Sequence, residues 1–212
     1  MKEDIKNYHL EINKIIEEKK RPTLFLHACC GPCLSYPLVE LNKYFDVTIG
    51  YFNPNIYPES EYNKRLKTLQ EYVTYFNLKN NTKIKVIIND DDFLKYQKEF
   101  IERKEDKEGG NTCLKCHQYR MNLAYKYAYL NHFDYFTTVM TVSSKKPSHE
   151  LNEIGLKLNE LYPTTKYLIS DFKKENGQLI GINISKERKM YRQDYCGCIY
   201  SFIEKEERNK IK

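Results

Sequence analysis

Apolar positions recur along most of the chain, either with helical spacing or in short runs typical of buried strands. In residues 59–77 they follow one another at intervals of four and three residues, the pattern of an amphipathic helix. Short apolar runs bounded by turn residues alternate with such segments. We predict strands at 23–26, 46–52, 84–88, 135–140 and 167–172, and helices at 34–45, 59–77, 93–101, 113–131 and 148–161.

This alternation predicts one α/β domain over residues 1–212, built on a mostly parallel sheet with helices on both faces. Residues 1–20 alternate charged residues with isoleucine, so we expect an accessory N-terminal helix. In an open parallel sheet, ligands bind beyond the carboxyl ends of the strands. We therefore expect the functional site just after the first strand.

The C-terminal segment 173–212 is less regular after Gly177 and is basic. It holds ten Lys or Arg and six Asp or Glu, which is +4 of the net charge of +6. Such a surplus suits contacts with phosphate, although a solvated charged helix is the default explanation for the last dozen residues.

The composition excludes several classes of protein. With 41% hydrophobic and 30% charged residues, the chain is neither disordered nor low in complexity. Its apolar runs are far shorter than the roughly 20 residues that span a bilayer, and its first twenty residues are dense in Lys and Glu. We expect a cytoplasmic protein with no membrane partner.

The cysteines indicate the chemistry. There are seven, an odd number that argues against the disulfide framework of a small secreted domain. They fall into three groups: Cys29, Cys30 and Cys33; Cys113 and Cys116; Cys196 and Cys198. Close thiol groups in a reducing compartment point to metal or redox chemistry. The residues alone leave open a structural zinc, a thioredoxin-like dithiol at Cys30 and Cys33, and an iron–sulfur cluster.

Five motifs follow one another between residues 27 and 201. They are HACCGPC from His27, YFNPNI from Tyr51 with Tyr62 and Arg65 after it, CLKC from Cys113 with Arg120, SSKK from Ser143, and YRQDYCGC from Tyr191. In this order they resemble the QueH family of epoxyqueuosine reductases.

The resemblance implies a cobalamin-independent oxidoreductase that reduces epoxyqueuosine to queuosine at the wobble position of tRNA, the last step of queuosine biosynthesis. It implies an alpha-hydrolase-type (HUP-like) nucleotide-binding fold, a [4Fe-4S] cluster and an additional mononuclear iron. The implied partners are tRNA carrying epoxyqueuosine and an electron donor that the resemblance does not identify.

Carried onto this sequence, the resemblance also implies roles for the cysteines. The cluster ligands would be Cys29, Cys30, Cys113 and Cys116. Cys33 would be a ligand of the second metal, and Cys196 with Cys198 would form a redox-active pair. Successive side chains of a strand point to opposite faces, so Cys29 and Cys30 need a turn between strand and helix to face one cluster.

Further residues near these motifs are candidates for proton transfer and substrate binding. Proton donors would be Tyr191 and Asp194, with Tyr195 and His27 as alternatives. Substrate contacts would come from Tyr51, Asn53, Asn55 and Arg192. Turn formation explains the two asparagines equally well, and an ion pair is the alternative for the arginine.

Two other functions remain open at this point. One is an ATP-dependent tRNA-modifying enzyme of similar fold, and the other is a zinc-organised RNA-binding module. Against the first, cysteines occupy the turn after the first strand where a glycine-rich phosphate loop is expected, and the sequence has no Walker motif.

Overall fold

The computed structural model describes residues 2–18, 20–89, 93–100, 106 and 108–210, with side chains from residue 7 onward. The strands are β1 (Thr23–His27), β2 (Asp46–Tyr51), β3 (Val86–Ile88), β4 (Tyr135–Thr138) and β5 (Lys166–Tyr167). The helices are α1 (Lys2–Glu17), α2 (Gly31–Leu41), α3 (Glu59–Asn80), α4 (Phe93–Glu99), α5 (Asn111–Leu130), α6 (Ser148–Leu161), α7 (Gly177–Glu187) and α8 (Ile199–Lys210). Residues 1, 19, 90–92, 101–105, 107, 211 and 212 lie outside the described part, and residue 101 is the end of a predicted helix.

The five strands form a parallel sheet in the order β3-β2-β1-β4-β5. His27, at the end of the central strand β1, lies beside Gly50 of β2 and Thr138 of β4. The chain passes from β1 through β2 to β3 on one side of the sheet, and then returns to add β4 and β5 on the other side. The direction in which strands are added therefore switches between β1 and β4. A crevice therefore opens beyond their carboxyl ends, where ligands bind in sheets of this kind.

The core lies on both faces of the sheet, because alternate side chains of a strand point to opposite sides. Leu24 and Leu26 of β1 pack in one buried cluster with Leu34 of α2 and Leu69 of α3. Phe25, between them in the sequence, packs in a second cluster with residues of α5 and α6. The prediction of a parallel α/β sheet with helices on both faces is confirmed.

The last two strands are shorter than predicted. The strand β4 ends at Thr138, whose side chain accepts a hydrogen bond from the Met140 backbone N–H and begins a 3-10 helix over Val139–Val142. Within the described sheet β5 pairs only with β4, and Tyr167 lies opposite Phe136. The strand β4 has only two more residues after Phe136, so a strand that reached residue 172 would have no partner along most of its length. The predicted strand over residues 167–172 is therefore wrong in its extent.

The tail is also more regular than predicted, since it contains α7 and α8. The helix α7 lies against α2, where the Ser35 hydroxyl donates to the Gly181 carbonyl at 3.2 Å. A Cβ at Gly177 would collide with the ring of Tyr36, so a glycine is needed for this close approach. Within the described residues, no helix is long and apolar enough to cross a bilayer.

Candidate active site

A cavity of about 280 Å³ lies in the crevice beyond the carboxyl ends of the central strands. Its walls include the loop after β1, the loop after β2, the segment after β4, the start of α5 and the segment before α8. Cysteines from all three groups contribute to its lining: Cys29, Cys33, Cys113 and Cys196. Thiols distant in the sequence are thus brought to one pocket.

The first group of sulfurs is the most compact. The Sγ atoms of Cys29, Cys30 and Cys33 all lie within 4.8 Å of one another. The strand β1 ends at His27 and α2 begins at Gly31, so the chain turns here and lets adjacent cysteines face the same place. The structure pairs Cys30 with Cys33 as a disulfide, with Cα atoms 5.4 Å apart.

The predicted cluster ligands Cys113 and Cys116 stand outside this compact group, the only three-membered one among the described residues. Cys113 lies in the first turn of α5 and accepts a hydrogen bond from the Gly109 N–H at 3.3 Å. Cys116 lies one turn further along and accepts from the Tyr96 hydroxyl at 2.9 Å. Burial raises the pKa of the Cys116 thiol to about 11, although the Arg120 guanidinium opposes this. The metal-free thiol therefore keeps its proton at neutral pH, and binding a metal there would release it.

The N-termini of helices supply positive potential around these sulfurs. The Cys30 Sγ caps α2 by accepting from the Cys33 N–H at 3.2 Å. The Cys198 Sγ accepts from the Ser201 N–H at 3.5 Å at the start of α8. With Cys113 in the first turn of α5, three helix N-termini present cysteines here. The partial positive charge of a helix N-terminus favours the thiolate that binds metal or attacks a disulfide.

Arg120 adds a full positive charge next to the thiols. It is buried, and its guanidinium donates to Asn53 Oδ1 at 2.6 Å. Burial lowers the pKa of Arg120, but the negative charge that Cys116, Cys29 and Cys196 can carry outweighs it and raises that pKa. The side chain thus lies close to one cysteine of each of the three groups.

A second buried cation, Arg65, holds the Cys-Gly-Cys turn. Its guanidinium donates to the carbonyls of Cys196 at 2.9 Å and Tyr195 at 3.1 Å. Its Nε lies 2.7 Å from the Glu61 carboxylate, one turn earlier on α3. Gly197 has φ +128°, and a Cβ there would come within 2.9 Å of the Arg65 Nη1. Both the conformation and the contact require glycine between the two cysteines.

A family model and several known proteins match most of this chain. Residues 24–204 match the family model described as epoxyqueuosine reductase QueH. A protein of that name from Streptococcus pyogenes serotype M1 is 37% identical over 185 residues, which are 87% of this chain and 72% of that protein. Another, from Staphylococcus epidermidis, is 36% identical over 207 residues, 95% of this chain and 87% of that protein.

The chain belongs to the QueH family. A more distant member from Thermotoga maritima is 28% identical over 187 residues, 88% of this chain and 94% of that protein. The family inferred from five sequence motifs is thereby confirmed.

In this QueH-family chain, the two predicted proton donors lie in different surroundings. The Tyr191 hydroxyl donates to Glu61 at 2.7 Å. Burial and this hydrogen bond raise the pKa of Tyr191 to about 12. Asp194 lines the cavity, is 62% exposed and forms an ion pair with Lys205 at 3.1 Å. Tyr191 is therefore hydrogen-bonded to Glu61, whereas Asp194 lies at the cavity itself.

Of the four residues predicted to contact the substrate, two line the cavity and two do not. Asn55 and Arg192 line the cavity, and Asn55 is 1% exposed with no hydrogen-bond partner for its Oδ1 in the described structure. Asn53 is fully buried. Its amide donates to the Ala28 carbonyl and accepts from Arg120, so it positions its neighbours in this site.

The prediction that Tyr51 contacts a base requires a correction. Tyr51 is fully buried in the core, which leaves no ring face on which a base can stack.

His27 also requires a correction as a proton donor. The ring is fully buried, with Nδ1 3.1 Å from the Thr138 hydroxyl and Nε2 3.1 Å from the Phe52 carbonyl. Burial lowers the pKa of His27 to about 3, so it is neutral at physiological pH. Its ring ties together the ends of the three central strands.

His117 and Glu61 belong to this site and were not predicted from the sequence. Burial lowers the pKa of His117 to about 2, and this neutral ring lines the cavity. Its position directly after Cys116 is the signal that could have identified it. Glu61 was missed as well, although its spacing of four residues from Arg65 is that of a helical ion pair.

The neutral state of His27 predicts how the stability of the metal-free QueH-family protein depends on pH. The unfolded ring titrates near 6.5 and the folded ring near 3, so the unfolded state binds more protons between these values. Its contribution to stability is therefore complete above the unfolded pKa and is lost as the pH falls. From about pH 7.5 to about pH 5.5 we expect this ring alone to lower the free energy of unfolding by about 1.4 kcal/mol. Urea denaturation measures the total change, and NMR should show His27 ring resonances constant over the same range. Ring resonances that titrate there would contradict the assignment.

Proposed function

We propose that this protein reduces epoxyqueuosine to queuosine in tRNA, as an oxidoreductase of queuosine biosynthesis. The observation that carries the proposal is the lining of one cavity by cysteines from three separate groups, in a chain of the QueH family. The site lies at the switch point of a parallel sheet, the usual ligand position in such folds. The cytoplasm, where tRNA is modified, is the expected location.

We further propose that the site holds a [4Fe-4S] cluster on Cys29, Cys30, Cys113 and Cys116, with Cys33 as a ligand of an additional mononuclear iron. The residues fit such groups, because thiolates are the ligands that iron–sulfur clusters use. The N-termini of α2 and α5 and the buried Arg120 favour the thiolate form of these ligands, and metal binding would release the proton of Cys116. When bound, the cluster supplies single electrons and the mononuclear iron supplies Lewis acidity.

The overall reaction takes up two electrons and two protons. Both C–O bonds of the epoxide break, a C=C bond forms and the oxygen leaves as water. If Cys196 and Cys198 act as a dithiol, their oxidation to a disulfide releases the same two electrons and two protons. An electron donor, which the proposal leaves unidentified, must then reduce the disulfide. The two hydrogen bonds from Arg65 to this segment hold the pair's backbone against α3.

The departing oxygen needs protons, and their source would be residues just before Cys196 in the sequence. Asp194 faces the cavity beside Lys205, an arrangement suited to passing a proton from solvent to substrate. Tyr191 stays protonated at neutral pH and is hydrogen-bonded to Glu61, so it acts on the site through that carboxylate. Asn55 and Arg192 provide an amide oxygen and a cation for the substrate.

Contacts with tRNA phosphates should come from the rim of the cavity, which is lined by Lys145, Lys146 and Arg192. Replacing both lysines with glutamine should reduce the slope of log affinity against log salt by about 1.4, or about 0.7 for each single-strand phosphate that is no longer neutralised. The matched control is the double replacement of Lys83 and Lys85, which precede β3 at the opposite end of the sheet. Filter binding at several salt concentrations measures both slopes. Equal slopes for the two double variants would show that Lys145 and Lys146 do not contact tRNA phosphates.

The test of the proposed function is anaerobic. Purified protein should contain iron and sulfide and should convert epoxyqueuosine-bearing tRNA to a nucleoside lighter by one oxygen in mass analysis. Zinc as the sole metal would instead support the RNA-binding module. Turnover that requires ATP would support the nucleotide-dependent enzyme.

A further inference from the structure

The side-chain amide of Gln193 lies at the junction between the compact sulfur group and the cavity. Its Nε2 donates to the Cys30 Sγ at 3.2 Å and approaches the Cys33 Sγ at 3.7 Å. Gln193 also lines the cavity. One neutral side chain thus contacts the sulfurs and the space in which a substrate would bind.

The oxygen of the same amide has no partner in the part of the chain that the structure describes. Gln193 Oε1 is buried and accepts no hydrogen bond from any described residue. Buried carbonyl oxygens are nearly always hydrogen-bonded, so an orphaned one at the wall of a ligand cavity calls for a donor from the ligand. Asn55, on the loop after β2, presents a second orphaned amide oxygen at the same cavity. Two acceptors match a ligand with several N–H or O–H groups, such as a nucleoside.

The N–H contacts have a separate chemical consequence. A hydrogen bond donated to sulfur stabilises the more negatively charged form of that sulfur. In metal-free protein this form is the reduced dithiol in its thiolate state, and in loaded protein it is the electron-rich state of the ligand set. Loss of the N–H should therefore make the sulfurs easier to oxidise.

We propose that Gln193 is a positioning residue with two separable actions. Its amide N–H sets the redox equilibrium of the Cys30–Cys33 sulfurs, and its amide oxygen accepts a hydrogen bond from an N–H or O–H of the substrate. The second action rests on the proposed reductase function, and the first does not.

The first action is tested on metal-free protein equilibrated in glutathione redox buffers. Thiol trapping and mass analysis give the fraction of the Cys30–Cys33 disulfide, which forms as oxidised glutathione is reduced to two thiols. Gln193→Leu removes the N–H and should shift the equilibrium about tenfold toward the disulfide, or about 30 mV for a two-electron couple. Gln193→Glu replaces the N–H with a carboxylate oxygen and should shift it at least as far in the same direction. Gln70→Leu, at an exposed position on α3, is the matched control.

The second action is tested by kinetics on the loaded enzyme with epoxyqueuosine-bearing tRNA. Gln193→Leu lacks the acceptor and should raise KM about tenfold. Gln193→Glu keeps an acceptor oxygen and should leave KM within about twofold of the parent while kcat changes. This split between KM and kcat separates substrate contact from a general loss of structure. Thermal unfolding of every variant checks the fold, and Gln193→Met replaces Gln193→Leu if the latter does not fold.

Each result bears on one half of the proposal. A glutathione equilibrium that moves no more in Gln193→Leu than in Gln70→Leu overturns the action on the sulfurs. An unchanged KM in Gln193→Leu overturns the substrate contact. If the parent enzyme itself has no reductase activity, the proposed function fails, whereas the glutathione result still decides the first action.

Discussion

Replacing Cys30 with alanine should remove most of the iron from anaerobically purified protein and abolish the reductase activity. Its sulfur lies within 4.8 Å of those of Cys29 and Cys33, so it cannot be removed without opening the compact group. Loss of an outer partner of a metal ligand already costs about 10- to 100-fold in affinity or activity, so loss of a ligand should exceed 100-fold. Iron quantification and nucleoside mass analysis measure the two effects.

The matched variant is Cys33→Ala, which removes a neighbouring sulfur of the same group. If Cys30 is a cluster ligand and Cys33 serves the second metal, Cys33→Ala should keep the cluster's absorption while losing the additional iron. A Cys30→Ala protein that keeps full iron content and activity would show the ligand assignment to be wrong. Equal loss of the cluster in both variants would place Cys33 in the cluster set, consistent with the compact group of three sulfurs.

Replacing Arg65 with methionine should destabilise the protein by about 3–5 kcal/mol, because it leaves the buried Glu61 carboxylate without its counter-charge. Arg65 is 1% exposed and Glu61 is 8% exposed, so water cannot take the place of the guanidinium. The variant also loses the hydrogen bonds to the carbonyls of Cys196 and Tyr195, and reductase activity should fall with them. Urea denaturation of metal-free protein measures the change in free energy of unfolding.

The chain offers a close control on the same helix. Lys67 and Glu71 have the same spacing of four residues, with charged atoms 4.0 Å apart and side chains 78% and 65% exposed. Lys67→Met should cost less than about 0.5 kcal/mol, since solvent screens an exposed pair. Adding Glu61→Gln to Arg65→Met should restore part of the stability by removing the stranded charge. A similar cost for Arg65→Met and Lys67→Met would contradict the role of Arg65 as a buried clamp.

Much of the fold could be predicted because local patterns carry the necessary information. Apolar runs such as residues 23–26, buried on both sides, alternate with amphipathic helices, and this alternation is the signature of a parallel sheet. The errors arose where neighbours decide the outcome. A strand over residues 167–172 would outrun its partner β4, which ends at Thr138 where a 3-10 helix begins. The helix α7 forms against α2, where Gly177 permits close packing.

The cysteines of the candidate site could be predicted from the sequence, but the residues that surround them could be predicted only in part. The cysteine motifs are contiguous in the sequence and therefore visible without a structure. Tyr51 was a poor choice for a base contact because its position at a strand end says nothing about which face is covered. His117 and Glu61 do have local signals, next to Cys116 and four residues before Arg65. What they and Gln193 contact, however, is decided by groups elsewhere in the chain.

By itself the sequence determined which side chains are available: seven thiols in three groups, a parallel α/β pattern and a family resemblance that the comparisons confirmed. Only the tertiary structure decided which of these side chains meet. It gathered cysteines of all three groups around one cavity and buried Arg65 and Arg120 beside them. Among the described residues it left the amide oxygens of Asn55 and Gln193 without hydrogen-bond donors. The physical reason is that residue type and spacing are local properties, whereas burial and electrostatic surroundings depend on how the elements pack.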